Sequence, residues 1–118
     1  MEYCSNFRHD LEVGQLAEQA LADILENKTV EVKNDLKAMT TGNLFIEFMS
    51  RGKPSGIDKT EADYWCFCVG DVFLLIETEK LKNLIEPLKN TNAERVGGDN
   101  NTSVGILLPL IKLLSLKE

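Results

Sequence analysis

One histidine, three prolines and three cysteines in 118 residues leave several kinds of chemistry with nothing to work with. His9 is the single imidazole, so catalysis by a histidine pair within one chain is excluded. A Ser-His-Asp arrangement would rest on His9 alone, and no G-x-S-x-G elbow presents a serine. The chain has no P-loop and no G-x-G-x-x-G. Cys4 stands alone, and Cys66 and Cys68 form a C-x-C. An odd count with no second C-x-x-C unit gives neither a disulfide framework nor a zinc knuckle. In a strand, Cys66 and Cys68 point to one face and pack as small apolar groups. No apolar run approaches the roughly 20 residues of a membrane span. The N-terminus, MEYCSNFRHD, lacks the basic-then-apolar order of a secretory signal. A cytoplasmic protein with no membrane partner is expected.

Basic residues are also short, with 13 Lys and Arg against 19 Asp and Glu and a net charge of −6. Phosphate binding normally comes with a basic surface, so this balance argues against a nucleic-acid partner. A cation-dependent site softens the objection, because its carboxylates count as negative until the cation binds. Local basic clusters are Arg8 with His9, Arg51 with Lys53, and Lys80, Lys82 and Lys89. The 43% apolar and 27% charged content is that of an ordinary folded protein. The length leaves room for one domain, 1–118, with one hydrophobic core.

Helical spacing begins after Asp10, a candidate N-cap, and runs to about Glu26 or Asn27. Val13, Leu16, Ala17, Ala20, Leu21 and Ile24 share one face, and Glu18 falls at its margin, beside the expected core. Residues 29–35 alternate as a strand does, with Val30 and Val32 on one face and Glu31, Lys33 and Asp35 on the other. A connection over 36–42 ends in Gly42. Asn43 to Met49 reads as a second strand, in which Glu47 is the only charge. Arg51 to Gly56 must be a loop, and Thr60 to Asp63 reads as a helical turn capped by Thr60. Tyr64 to Val69 and Val72 to Ile76 are strands around a Gly70-Asp71 hairpin turn. Glu77 to about Lys89 is helical, with Pro87 able to end it early. Residues 91–103 are polar. The apolar tail from Gly105 to Leu116, broken by Pro109, reads as a strand entering a short helix. This order predicts an α/β (α+β) domain, a mixed β-sheet flanked by helices.

If the first two strands form a hairpin centred near residue 39, Glu31 lies opposite Glu47, Lys33 opposite Phe45 and Asp35 opposite Asn43. Directly opposed residues share a face with Cβ atoms about 5 Å apart. Two carboxylates forced together in that way can hold a cation. Mg²⁺ is commonly held by one or two carboxylates, with waters and substrate phosphate completing its shell. Lys33 would then orient an attacking water or offset phosphate charge, and Glu18 would act as a further ligand. E-x-K on a strand is a common surface pattern. Glu47 is the sharper signal, because a lone acid in N-L-F-I-E-F-M is costly if buried and purposeless if exposed.

G-Q-L-A-E ending at Glu18, V-E-V-K at 30–33, T-G-N-L-F-I-E at 41–47, G-K-P-S-G-I at 52–57 and T-E-A-D-Y-W at 60–65 fall within the stretch from about Gly14 to Phe67, roughly half the chain. In these motifs the sequence resembles the PD-(D/E)XK nucleases, and among them small phage and prokaryotic proteins like Holliday-junction resolvases or restriction endonucleases. The resemblance implies a restriction-endonuclease-like core and metal-dependent hydrolysis of DNA phosphodiester bonds, with Mg²⁺ or Mn²⁺ as cofactor. It matches Glu18 to the helix acid, and Glu31 with Lys33 to E-x-K. The strand that carries the family's Asp has no counterpart between Glu18 and Glu31. Either Asp35 or Glu47 fills that slot, or Glu31 takes the Asp role, with Glu47 heading the second half-motif and Lys33 standing in for the lysine absent at Met49.

The expected site therefore comprises Glu31, Lys33 and Glu47 as catalytic residues, and Glu18, Glu31, Asp35 and Glu47 as metal ligands. Arg51, Lys53, Ser55 and Thr60 would contact a DNA phosphate, with Thr60 aiming a helix N-terminus at it. A homodimer is expected, because so short a chain has little surface to grip a duplex and the apolar tail offers an interface. The rival readings are a non-catalytic binding module on the same fold and a small acidic protein-interaction factor.

Overall fold

Alternation and helical spacing place most of the elements, and long-range pairing decides how they assemble. The structure, a computed structural model, describes residues 2–114, with side chains for residues 12–98 and 100–114. It is α+β with mixed parallel and antiparallel pairing. Helix α1 spans Glu2–Asn27. Asp10 therefore lies inside the helix and does not cap it; no glycine or proline between residues 2 and 9 breaks the run. Strand β1 (Val30–Asn34) leads through one helical turn, α2 (Ala38–Thr41), to β2 (Asn43–Ser50). Gly42, at φ +74°, closes α2 by donating its N–H to the Ala38 carbonyl. A two-residue strand β3 (Lys53–Pro54) and a 3₁₀ turn (Gly56–Asp58) follow.

Strands β4 (Tyr64–Val69) and β5 (Val72–Glu77) form the expected hairpin, with Val69 opposite Val72 and Gly70 at φ +59°. Helix α3 (Thr78–Ile85) gives way to a 3₁₀ turn at Pro87. Strand β6 (Glu94–Gly97) lies in the polar segment 91–103, for which no strand was expected. Strand β7 (Ser103–Pro109) and helix α4 (Ile111–Leu114) form the strand-then-helix tail.

Two sheets result. One has the order β1-β4-β5, with β1 parallel to β4; the other is antiparallel, in the order β3-β2-β7-β6. The core lies between Trp65, Phe67 and Ile76 of the first sheet and Leu44, Ile46, Phe48, Ile106 and Leu108 of the second, and Leu81 and Ile85 of α3 complete it. Burying one such side chain stabilises by roughly 1.5–3 kcal/mol. The apolar tail is therefore a central strand. Ile106 and Leu108 are 0% exposed, so the strand half of the tail belongs to the chain's own core, while Ile111 and Leu114 of α4 are exposed.

The expected β1–β2 hairpin does not form. Glu31 pairs in register with Trp65 and Lys33 with Phe67, whereas Glu47 pairs with Gly105. β7 offers β2 two buried apolar partners, Ile106 and Leu108, where β1 would offer charged ones. The α2 turn also takes up residues that a tight hairpin would need.

Thr60 to Asp63 is not helical. The Thr60 hydroxyl accepts the Ala62 N–H, and Asp63 serves a different purpose. The backbone N–H and hydroxyl of Thr29 both donate to its carboxylate, while the Asp63 N–H donates back to the Thr29 hydroxyl and carbonyl. This reciprocal clamp ties the entry of β1 to the entry of β4, which sets their parallel register.

The Thr29 N–H, and after it the Thr29 hydroxyl, hold the Asp63 carboxyl below its ordinary value of 3.8. A depressed carboxylate contributes stability above its unfolded pKa and loses it as pH falls through the folded value. The clamp is therefore intact at neutral pH and weakens below pH 3.8. Asp63→Asn is expected to lower the urea midpoint at neutral pH and to flatten its dependence on pH below that value. Parallel pH profiles for the two proteins would refute the assignment.

Candidate functional site at the split between the sheets

The feature that survives in altered form is the meeting of β1 and β2. Among the described residues, β1 pairs only with β4, and its other edge carries no strand. Residues 43–47 of β2 pair with β7 on one side only, since β3 reaches just Met49 and Ser50. Leu107 sends its N–H to Ala93, away from β2. Leu107 and Phe45 are thus a non-hydrogen-bonded pair, and the Phe45 N–H points to the open side of β2. There it meets a side chain: Asp35 Oδ2 accepts it at 3.1 Å, and Asp35 Oδ1 accepts the Lys37 N–H at 3.1 Å. The carboxylate takes the place of the backbone acceptor that a paired β1 would have supplied.

Glu47 lies two residues further along β2, about 7 Å from Phe45. It is half-buried on the face away from Leu44, Ile46 and Phe48. Its Oε2 accepts the Ser55 hydroxyl at 2.7 Å. Gly56, at φ +50°, packs its Cα directly against the Glu47 backbone carbonyl. The loop after β2 therefore folds back onto the lone acid of that strand. Ser55, expected to bind a phosphate, is committed to Glu47. Thr60, expected to cap an anion-binding helix, instead accepts the Trp65 Nε1–H at 3.4 Å. The next helix, α3, starts at Thr78.

The remaining expected residues are dispersed. Glu31 and Lys33 lie on the core-side face of β1, where Lys33 Nζ is 3.8 Å from Glu31 Oε2 and 5.2 Å from the centre of the Trp65 ring. Glu18 is exposed on α1, away from the core it was expected to flank. Arg51, at φ +52° in the turn after β2, and Lys53, at the start of β3, are exposed. Among the described residues, no three His, Cys, Asp or Glu side chains form a group able to hold a metal ion. The four-acid set Glu18, Glu31, Asp35 and Glu47 is thus not assembled. Asp35 lies at the open edge of β2, while Glu47, two residues along from Phe45, points from the face of that strand opposite the core, toward Ser55.

Of the expected basic cluster, Lys82 pairs with Glu79 and Lys89 with Asp58 and Glu86. Lys89 Nζ is 2.6 Å from Asp58 Oδ2, 3.0 Å from Glu86 Oε2 and 4.7 Å from the centre of the Phe48 ring. Burial alone would lower the Lys89 pKa, and the hydrogen bonds that its ammonium donates to Asp58 and Glu86 outweigh it and raise it. This lysine ties the 3₁₀ turn after β3 to the end of α3. Lys89→Met is expected to destabilise the fold by about 1–3 kcal/mol in urea unfolding, since hydrogen bonds to charged groups contribute about that much. An unchanged midpoint would remove the structural role and return Lys89 to the surface as a free cation.

Cys66 and Cys68 share a face as expected and are free thiols, and burial pushes the Cys66 thiol up. Trp65, 2% exposed, anchors the core. The described helices include none long and apolar enough to cross a membrane. Periodicity did not point to the Asp35 bridge to Phe45 or to the Ser55 hold on Glu47. The signals for them were the Asp at a strand end just before a turn, and Ser-Gly after a Lys-Pro. No protein-family model matches the chain, and neither does any curated protein or solved structure.

Proposed function

We propose that the chain is a divalent-metal-dependent endonuclease of DNA built on a restriction-endonuclease-like core, with its site at the split between β1 and β2. One observation carries this reading: Asp35 fills the open edge of β2 at Phe45, two residues from Glu47, a lone acid in an apolar strand that Ser55 holds in place. Asp35 and Glu47 would hold Mg²⁺ or Mn²⁺, which supplies charge neutralisation at the phosphate and a more acidic bound water. Lys33, near the end of β1 and in its ion pair with Glu31, would provide a fixed positive charge. Glu31 orients that lysine through their ion pair and is a positioning residue, no longer a ligand. Arg51 and Lys53, exposed beyond the end of β2, offer the contacts to the DNA backbone. Ser55 is a positioning residue for Glu47.

The test is nicking of linear and branched DNA with Mg²⁺ or Mn²⁺, together with calorimetric titration of Mn²⁺. Cleavage that requires the metal and is lost in Asp35→Asn supports the proposal. No cleavage and no Mn²⁺ binding removes it. The net charge of −6 and the lack of a three-acid group among the described residues favour a second reading, a non-catalytic acidic interaction module. Mn²⁺-free, DNA-free protein that still captures a defined partner would support that alternative.

A further inference from the structure

The C-x-C of β4 takes no part in the proposed site. Alternation along β4 sends Trp65 and Phe67 into the core and Cys66 and Cys68 to the opposite face of the sheet. Cys66 is 8% exposed yet lies outside the core cluster, and the half-buried Cys68 beside it opens the pair to solvent. Both thiols are free. Burial, and after it the adjacent Cys68 thiol, push the Cys66 thiol up, and Cys68 acts in part through a hydrogen bond between the two. The pair is flanked by Val32 and Asn34 of β1 and by Leu75 and Phe73 of β5, none of them charged. The titratable groups next along this face are Tyr64 and Glu77, with Asp23 of α1 beside Tyr64. None of these is a sulfur or an imidazole, so none adds a soft ligand to the two thiols.

Geometry and donor chemistry separate the uses open to such a pair. Same-face neighbours on a strand have Cα atoms about 6.6 Å apart. That is the far end of what a disulfide spans, and their Cα–Cβ bonds run side by side, so an S–S bond there would strain the strand. A raised thiol is also a weak nucleophile at neutral pH. A metal ion between the sulfurs asks for less approach. With metal–sulfur bonds of about 2.3 Å, two thiolates on opposite sides of one ion stand about 4.6 Å apart. Rotation of the two side chains covers that distance. Zn²⁺ takes four ligands, and among the described side chains no histidine, third cysteine or acid joins these two. Mg²⁺ and Mn²⁺ take oxygen ligands. Cu(I), a soft closed-shell cation, is satisfied by two thiolates in line.

We infer that Cys66 and Cys68 form a binding site for one Cu(I) ion, held between their two sulfurs on the outer face of the β1-β4-β5 sheet. Binding breaks two S–H bonds, forms two Cu–S bonds and releases two protons to water, and the copper stays Cu(I) throughout. The proton count gives the site a signature. Two protons leave per ion, so the apparent association constant rises about 100-fold per pH unit between about pH 6 and 7.5. Capture by a single thiol releases one proton and rises only about tenfold per unit.

Anaerobic titration of the full chain with Cu(I), in competition with the chromophoric chelator bathocuproine disulfonate, tests this. The expected result is one ion bound per chain, with X-ray absorption showing two sulfur neighbours and no nitrogen or oxygen. Cys66→Ser and Cys68→Ser should each weaken binding by at least about 100-fold, since a hydroxyl is a hard and poor ligand for a soft ion. Cys4→Ser should leave binding unchanged. Buried Trp65 reports by its fluorescence whether each variant is folded. If Cys66→Ser unfolds, the Cys68→Ser variant and the pH slope of the wild type still decide. No binding by the wild type overturns the inference. So does binding kept by a folded serine variant, or a slope of about tenfold per pH unit, either of which would mean adventitious capture by one thiol. Excess Mg²⁺ or Mn²⁺ should not displace the copper, and none of these readouts depends on nuclease activity.

Discussion

Glu47→Gln is expected to lower metal-dependent nicking by about 10²–10³-fold while leaving the unfolding free energy within about 0.5 kcal/mol of wild type. The amide keeps the shape of the side chain, and its oxygen still accepts the Ser55 hydroxyl that Glu47 Oε2 accepts at 2.7 Å. What changes is the charge. A neutral oxygen is a poor ligand for a hard cation, so calorimetry should show weakened Mn²⁺ binding in the same variant. Lys33→Ala should lose a comparable factor without losing Mn²⁺, since its role is a fixed positive charge. Glu31→Ala should lose less than about tenfold, because Glu31 acts through its 3.8 Å pair with Lys33. The order separates this site from the hairpin expected from alternation, in which Glu31 and Glu47 face each other and are equally required. Wild-type nicking by Glu47→Gln, or a larger loss in Glu31→Ala than in Glu47→Gln, would refute the assignment.

The contrast shows what local sequence can carry. Alternation in residues 29–35 and 43–49 correctly separated Glu31, Lys33 and Asp35 from the valines, and Glu47 from Leu44, Ile46 and Phe48. It says which residues share a face, not which strand lies alongside. Two-residue turn chemistry made the β4–β5 hairpin legible through Gly70, and Pro87 and Pro109 marked the ends of α3 and β7. The partner of β1 was not legible, because β4 is far along the chain and its register is set by the Asp63–Thr29 clamp. The same clamp explains why Thr60 to Asp63 is not a helical turn: its capping-box acid is used across the sheet. Strand β6 was hidden by its composition, Glu-Arg-Val-Gly, which pairs by backbone with β7 and buries no large side chain. The α1 stripe, expected to lie on the core, is largely exposed at Val13, Leu16 and Leu21 and half-buried at Ile24. Of the proposed site, Lys33, Asp35 and Glu47 were among the residues expected from sequence, and long-range pairing separates them from the arrangement expected.

Gly56→Ala should be the most damaging small substitution near the site, lowering stability by about 2–4 kcal/mol and the urea midpoint by at least about 1 M. Two independent effects add. Gly56 has φ +50°, a region that disfavours any side chain. A Cβ there would also meet the backbone carbonyl of Glu47 at well under 3.0 Å. That neighbour is the middle of β2, flanked by buried Ile46 and Phe48, so it cannot yield without disturbing the core. The loop must move instead, and Ser55, next in sequence, moves with it. Gly56→Ala should therefore weaken Mn²⁺ binding even at temperatures where the protein remains folded, because Glu47 loses the hydroxyl that orients it. Gly52→Ala is the control. Gly52 has φ +77° but open space around its Cβ, so strain alone acts, with an expected loss of about 1 kcal/mol and no change in Mn²⁺ affinity. Equal losses in the two variants would mean that backbone strain accounts for both, and that close packing of Gly56 on Glu47 contributes nothing to the site.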